Sequence, residues 1–209
     1  MYYLGIDLGG TNIAVGLVND ELRMVSKESL PTPATDPLAI VDTMAALCHR
    51  LMEKEGISLE QIAYAGIASP GIVDRERGEA IYANNIRFDH FPLARLLRER
   101  IPLKAVYMEN DANAAALGEA KAGGARGTKN SVMITLGTGV GGGIIIDGRV
   151  YMGFNFAGGA SSGLMPSNSR LIVDFSLRPL PTTLVRCRFR AAVARGAAMY
   201  SILLRCRRV

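Results

Sequence analysis

Apolar positions at the start of the chain alternate with small or polar ones. Residues 4–7, 13–18 and 23–28 read as three short strands, joined by turns at Gly9-Gly10 and Asn19-Asp20. The period then lengthens. Asp36-Pro37 has the form of an N-cap followed by proline at the first helical position. Leu38, Val41, Ala45, Cys48 and Met52 recur at helical spacing, and Gly56 is the stop. Residues 62–68 form a buried-type strand that ends at Ser69-Pro70-Gly71. Pro92 opens a short helix carrying Leu93, Leu96 and Leu97, which stops before Pro102. A strand over 103–108 runs into Glu109-Asn110-Asp111, and an alanine-rich helix follows to about Ala122. Strands over 131–136 and 143–146 come next, with Asp147-Gly148 as a hairpin turn.

Three consecutive strands, then strands alternating with helices, then a second strand–glycine turn–strand unit predict an α/β fold with a mixed sheet. Residues 1–120 make a first lobe and 121–159 the start of a second. Residues 160–209 differ from both. Leu164, Leu171, Ile172, Val173 and Phe175 suit a strand, but nothing afterward keeps a steady period.

Composition sharpens that division. Hydrophobic content of 49% with 21% charged residues belongs to a folded chain. The net charge of +5 is unevenly spread: residues 1–159 carry −3, while residues 160–209 carry +8 from nine arginines and Asp174. This last part holds no lysine, glutamate or histidine. The body therefore lacks the electrostatic footprint of a nucleic-acid binder. The three cysteines, Cys48, Cys187 and Cys206, have no spacing that suggests a disulfide framework. With no leader pattern and no apolar run near membrane-spanning length, the expectation is a cytoplasmic protein with no membrane partner.

Two glycine turns carry candidate chemistry. Asp7-Leu8-Gly9-Gly10-Thr11-Asn12 and Gly137-Thr138-Gly139-Val140-Gly141-Gly142-Gly143 each follow an apolar strand and lead into another strand. Glycines let backbone N–H groups approach an anion closely, so such turns can cradle phosphate. Gly137, Gly139 and Gly142 match G-x-G-x-x-G, but a strand rather than a helix follows, which argues against a dinucleotide fingerprint. Either turn alone is equally a tight hairpin. The pair, with Asp7 opening the first and hydroxyls at Thr11 and Thr138, suits a triphosphate held between them.

The third feature is Glu109-Asn110-Asp111 at a strand end, where open α/β sheets place ligands. Asp111 at a helix N-terminus is favoured in its ionised form, which accepts a proton from an attacking hydroxyl. An N-cap role for Asp111 or Asn110 explains the same residues. Gly71 after Ser69-Pro70, and the pair Asn84-Asn85, offer donors and acceptors for a polyol; turn chemistry explains them equally.

Taken together, GIDLGGTNIAVGLV at 5–18, GIASPGIVD at 66–74, ANNI at 83–86, ENDANAAALGE at 109–119 and LGTGVGGGIIIDG at 136–148 resemble the ROK (repressor, open reading frame, kinase) family of sugar kinases. The likeness is strongest to bacterial glucokinases and covers residues 1 to about 159. It implies an actin-like ATPase (ribonuclease H-like) lobe and ATP-dependent phosphorylation of a hexose, glucose foremost, with Mg²⁺. By the same resemblance Asp111 is the catalytic base, and Gly71, Asn84, Asn85, Asn110 and Asp111 hold the sugar. Asp7, Gly9, Gly10, Thr11 and Asn12 form the first phosphate motif, with Asp7 near the metal. Gly137, Thr138, Gly139 and Gly141 form the second. Homo-oligomers are frequent in the family. A sugar-responsive regulator and a non-catalytic sugar-binding remnant are the alternatives.

The resemblance stops at Gly159. Family members continue after N-F-A-G-G with Glu-x-Gly-His, whose Glu and His bind sugar, and then a Cys-x-Cys-Gly-x-x-Gly-Cys zinc segment. Here Ala160-Ser161-Ser162-Gly163 follows, and neither segment is present. Cys187 and Cys206 are too far apart along the chain, and lack the partners, for that zinc site. Ala-Ser-Ser-Gly encoded GCG AGC TCG GGN, after a Gly159 codon ending in G, reads Gly-Glu-Leu-Gly one nucleotide earlier, the family's continuation. Arginine without lysine is what shifted reading of GC-rich DNA gives. The expectation is that residues from about 160 onward are an out-of-frame translation, with phosphorylation by this chain impaired.

Overall fold

The computed structural model describes residues 1–136, 140–153, 185–193 and 200–208. Two compact units divide the chain, Met1–Asp111 and Ala112–Val209.

The first unit is built on a five-stranded sheet. Its strands are β1 (Tyr2–Leu8), β2 (Asn12–Asn19), β3 (Met24–Pro31), β4 (Ile62–Ser69) and, last in sequence, β8 (Val106–Asn110), in the order β3-β2-β1-β4-β8. The first three form an antiparallel meander, whereas β4 and β8 run parallel to β1, so the sheet is mixed. Alternation decides the faces. Leu4, Ile6, Leu8, Ile13, Val15, Leu17, Ala65, Ile67 and Met108 are buried on one side. Against them lie Ile40, Val41, Met44, Leu47, Cys48 and Leu51 of α1 (Pro37–Lys54). Fully burying each large side chain contributes about 1.5–3 kcal/mol.

The ends of α1 are set locally. Asp36 Oδ1 accepts from the N–H groups of Leu38 (3.0 Å) and Ala39 (3.2 Å), with Pro37 opening the helix. Gly56 at φ +64° ends it, and the Ile57 N–H returns to the Met52 carbonyl at 2.8 Å, as in a Schellman closure.

Between β4 and β8 the chain makes a second, three-stranded sheet that periodicity does not anticipate: β5 (Ile72–Asp74), β6 (Glu79–Tyr82) and β7 (Asp89–Phe91). Its strands are short and turn residues fill the intervals. The helix α2 (Leu93–Arg100) follows, burying Leu93, Ala94 and Leu97. The strand expected over 103–108 starts later, at Val106. Pro102 supplies no N–H and Leu103 folds back to the Ile101 carbonyl, so pairing with β4 begins at Ala65–Val106.

Helix α3 (Asp111–Lys121) begins on the last residue of the first unit. In the second unit β9 (Ser131–Leu136), β10 (Val140–Ile146) and β11 (Arg149–Val150) form a meander. The strand expected from Gly143 already begins at Val140, because Gly141 and Gly142 pair within the ladder opposite Thr135 and Ile134. A Cβ at Gly143 would overlap Ala116 Cβ and lie 2.6 Å from the Ala112 carbonyl oxygen, so glycine here permits close approach of α3. Asp147 (φ +50°) and Gly148 (φ +76°) make the anticipated turn.

The expectation that no periodic element follows Phe175 is corrected by β12 (Val185–Val193) and β13 (Tyr200–Arg208). Val185, Cys187, Phe189, Ala191 and Val193 recur at every second position, the strand period, in spite of the arginines between them. The two strands pair antiparallel, with Cys187 opposite Cys206, and β13 adds to β9, giving the order β11-β10-β9-β13-β12. The segment 164–175 lies outside the described residues. No helix among the described residues is long and apolar enough to cross a membrane.

Candidate functional site

Register gathers the candidate residues of the first unit along one sheet edge. Asp7 near the end of β1 pairs with Ala68 of β4, and Ala68 pairs with Glu109 of β8. All three strands are parallel, so their carboxyl ends lie together, the place where open α/β sheets bind ligands. Asp7 and Glu109 point away from the buried core face, on either side of the small Ala68. The turn after β1, the Ser69-Pro70-Gly71 corner at the end of β4 and Asn110-Asp111 at the end of β8 all emerge at this edge.

The first turn is tied down by backbone bonds. The Gly9 N–H donates to the Asn12 carbonyl (2.9 Å), and the Thr32 N–H donates to the Thr11 carbonyl (2.8 Å). The Thr32 hydroxyl donates to the Gly9 carbonyl at 2.7 Å. A Cβ at Gly10 would stand 3.2 Å from Asn85 Cβ, so the turn lies directly against the asparagine pair. Asn84 and Asn85 are both exposed, while Ala83 and Ile86 on either side anchor the segment in the core.

The second cluster joins Gly71 to the end of β8. Gly71 has φ +82°, and a Cβ there would overlap the Tyr82 carbonyl oxygen. Its own carbonyl accepts from Asn110 Nδ2 at 2.9 Å, and Asn110 is 5% exposed. The Asn110 N–H donates to Glu109 Oε1 at 3.0 Å, while Glu109 Oε2 lies 3.4 Å from Arg75. Asp111 is exposed at the first position of α3.

The Asp7 carboxylate opens to solvent on one side, yet the protein packed around it raises its pKa above the ordinary 3.8, with Lys27 pulling the other way. Such a carboxylate gains from a nearby cation. Among the described residues, no three His, Cys, Asp or Glu side chains cluster as a metal cage. Magnesium on a nucleotide needs no cage, since it binds through one or two carboxylates plus phosphate oxygens, and a lone Asp7 fits that donor set.

Sequence reasoning brought Asp7, Gly9, Gly10, Thr11, Asn12, Gly71, Asn84, Asn85, Asn110 and Asp111 forward, and all belong to the first unit. Gly141 belongs to the second, where a Cβ would stand 2.7 Å from Thr135 Oγ1. Gly137, Thr138 and Gly139 lie outside the described residues. Thr32 and the Arg75–Glu109 pair were missed. The only local signal for Thr32 was a hydroxyl residue set between Pro31 and Pro33.

Comparison with known proteins identifies the family. The sequence profile of the ROK family matches residues 3–169. The glucokinase of Streptomyces coelicolor is 44% identical over 151 residues, 72% of this chain and 45% of that protein. An N-acetyl-D-glucosamine kinase of Vibrio cholerae is 35% identical over 159 residues, 76% of this chain and 51% of that protein. A crystal structure of a ROK family glucokinase from Streptomyces griseus, in complex with glucose and AMPPNP, matches with a TM-score of 0.67 at 37% identity, covering 78% of this chain and 49% of that one. The chain spans about half the length of the curated relatives it matches. The α/β lobe with its mixed sheet is thus the actin-like ATPase fold of these sugar kinases, and the chain belongs to the ROK family.

Proposed function

We propose that this chain carries the first half of an ATP-dependent hexose kinase site, with glucose as the sugar. The observation that carries the reading is the shared sheet edge, where the Gly9-Gly10 turn, Gly71 and Asn110-Asp111 emerge together and Asn110 is bonded to Gly71. The residues divide the work. Gly10, Thr11 and Asn12 offer backbone N–H groups and side-chain polar groups to phosphate, Gly9 closes the turn through its own N–H to the Asn12 carbonyl, and Gly137, Thr138, Gly139 and Gly141 are the second phosphate turn. Asn84, Asn85, Asn110 and the Gly71 corner hold the sugar hydroxyls. Asp111 accepts the proton of the attacking sugar hydroxyl as that oxygen bonds to the γ-phosphorus of ATP and the bond from phosphorus to the departing ADP oxygen breaks. Asp7 is the protein ligand toward magnesium, which supplies charge neutralisation on the phosphoryl group when bound with the nucleotide. Residues 1–120 are the first lobe, 121–159 open the second, and 160–209 stand outside the native kinase. The Glu and His that complete the sugar shell in the family have no counterpart here, so binding outlasts turnover.

Calorimetry with glucose and with magnesium–AMPPNP tests the reading, beside a coupled assay of glucose phosphorylation. Binding of both ligands is expected, with turnover far below that of a longer relative, and Asp111→Asn removing what turnover remains. Failure of the chain to bind either ligand refutes it.

A further inference from the structure

We propose that Thr32 is the positioning residue of the first phosphate turn, acting from behind it. This rests on the phosphate reading of Gly9–Asn12 and deepens it. Thr32 follows β3 directly, between two prolines, and makes two bonds into the turn: its hydroxyl to the Gly9 carbonyl (2.7 Å) and its N–H to the Thr11 carbonyl (2.8 Å). A trans peptide is planar, with its C=O and N–H pointing in opposite directions. Fixing the Gly9 carbonyl toward Thr32 therefore aims the Gly10 N–H the other way. Fixing the Thr11 carbonyl does the same for the Asn12 N–H. The Gly10 N–H donates to no other group among the described residues. It is the donor an incoming phosphate oxygen would find already oriented.

The arrangement accounts for details that a simple hairpin leaves aside. In a tight two-residue hairpin the first carbonyl accepts from the N–H three residues on. Here the Gly9 carbonyl accepts the Thr32 hydroxyl instead. The β2–β3 ladder ends at Pro31, and past Pro33, which supplies no N–H, the chain leaves toward α1 with the Ala34 N–H on the Thr32 carbonyl (2.9 Å). Thr32 is thereby held from both sides. Gly10 leaves room for Asn85, so the phosphate turn is braced by Thr32 behind and Asn85 beside it. Preorganised donors of this kind lower the ordering cost of binding an anion.

The test uses the full chain in three forms: wild type, Thr32→Val and Thr32→Ser. Valine keeps the shape and the backbone bond but removes the hydroxyl; serine restores it. Calorimetry with magnesium–AMPPNP is expected to show about ten-fold weaker binding for T32V and wild-type affinity within about two-fold for T32S. Glucose affinity should stay unchanged in both. The Gly10 and Asn12 amide resonances should move in T32V and return in T32S. Amides that stay put in T32V overturn the proposal, as does an equal loss of nucleotide and glucose affinity. If wild type binds no nucleotide but the amides respond to T32V, Thr32 positions the turn and the phosphate reading of the turn is what falls.

Discussion

Replacing Gly71 by alanine tests the geometry of the candidate sugar corner most directly. The residue has φ +82°, where a non-glycine residue costs about 1–2 kcal/mol. The added Cβ would overlap the Tyr82 carbonyl oxygen and lie 2.8 Å from Ala83 Cα. Both are backbone atoms, so no rotamer change relieves the overlap and the corner must move. Moving it breaks the 2.9 Å bond from Asn110 Nδ2 to the Gly71 carbonyl. Asn110 is buried, and losing one of its hydrogen bonds there costs about 1–3 kcal/mol. The sum is about 2–5 kcal/mol. Gly56→Ala is the matched control. Gly56 has φ +64° but nothing within 4 Å of a Cβ, so only the conformational cost of about 1–2 kcal/mol applies. Urea unfolding followed by circular dichroism should separate the two variants, and calorimetry should show glucose binding lost in G71A and retained in G56A. Equal destabilisation of the two, or full glucose affinity in G71A, refutes the reasoning.

Three further outcomes are expected. In the folded protein the Asp7 carboxyl is raised by burial, so its contribution to stability is fully present below pH 3.8 and lost as pH rises through the raised value. The stability advantage of Asp7→Asn over wild type should therefore grow from acid to neutral pH in parallel urea melts, while magnesium–AMPPNP binding is lost. Gly143→Val should drive α3 from β10, because the Cβ meets Ala116 and the Ala112 carbonyl, destabilising the second unit by about 1–3 kcal/mol as overpacking does; hydrogen exchange should show α3 amides losing protection while β1 and β4 keep theirs. Sequencing the coding DNA beyond codon 159 should reveal Glu-x-Gly-His and the zinc segment in another frame, and their absence from every frame ends the out-of-frame reading.

What the sequence disclosed, and what it withheld, follows from the range of the interactions involved. The core strands and α1 were legible because their causes are local: alternation in β1 and β2, a cap at Asp36 and a glycine stop at Gly56. The candidate site residues stood out only as types, since glycines after strands and a carboxylate at a strand end serve turns and caps as well. Their partners were not legible. Asn110 was read as facing a sugar, yet one of its amide donors is committed to Gly71, thirty-nine residues earlier in the chain. Its conformation is thus a property of the β4–β8 pairing, which no local pattern encodes. Thr32 reaches Gly9 across twenty-three residues in the same way. The tail shows the converse case. Its alternation over 185–193 is plain in the sequence, but its arginines drew attention to charge and away from period. Charge reports on composition, and composition can change with reading frame; period decides whether a segment can pair. A segment of unusual composition can still satisfy the backbone of β9, as β13 does through Tyr200–Leu136 to Arg205–Ser131. Its ability to add to a sheet is therefore no argument about its origin, because pairing asks only for an extended backbone of the right period.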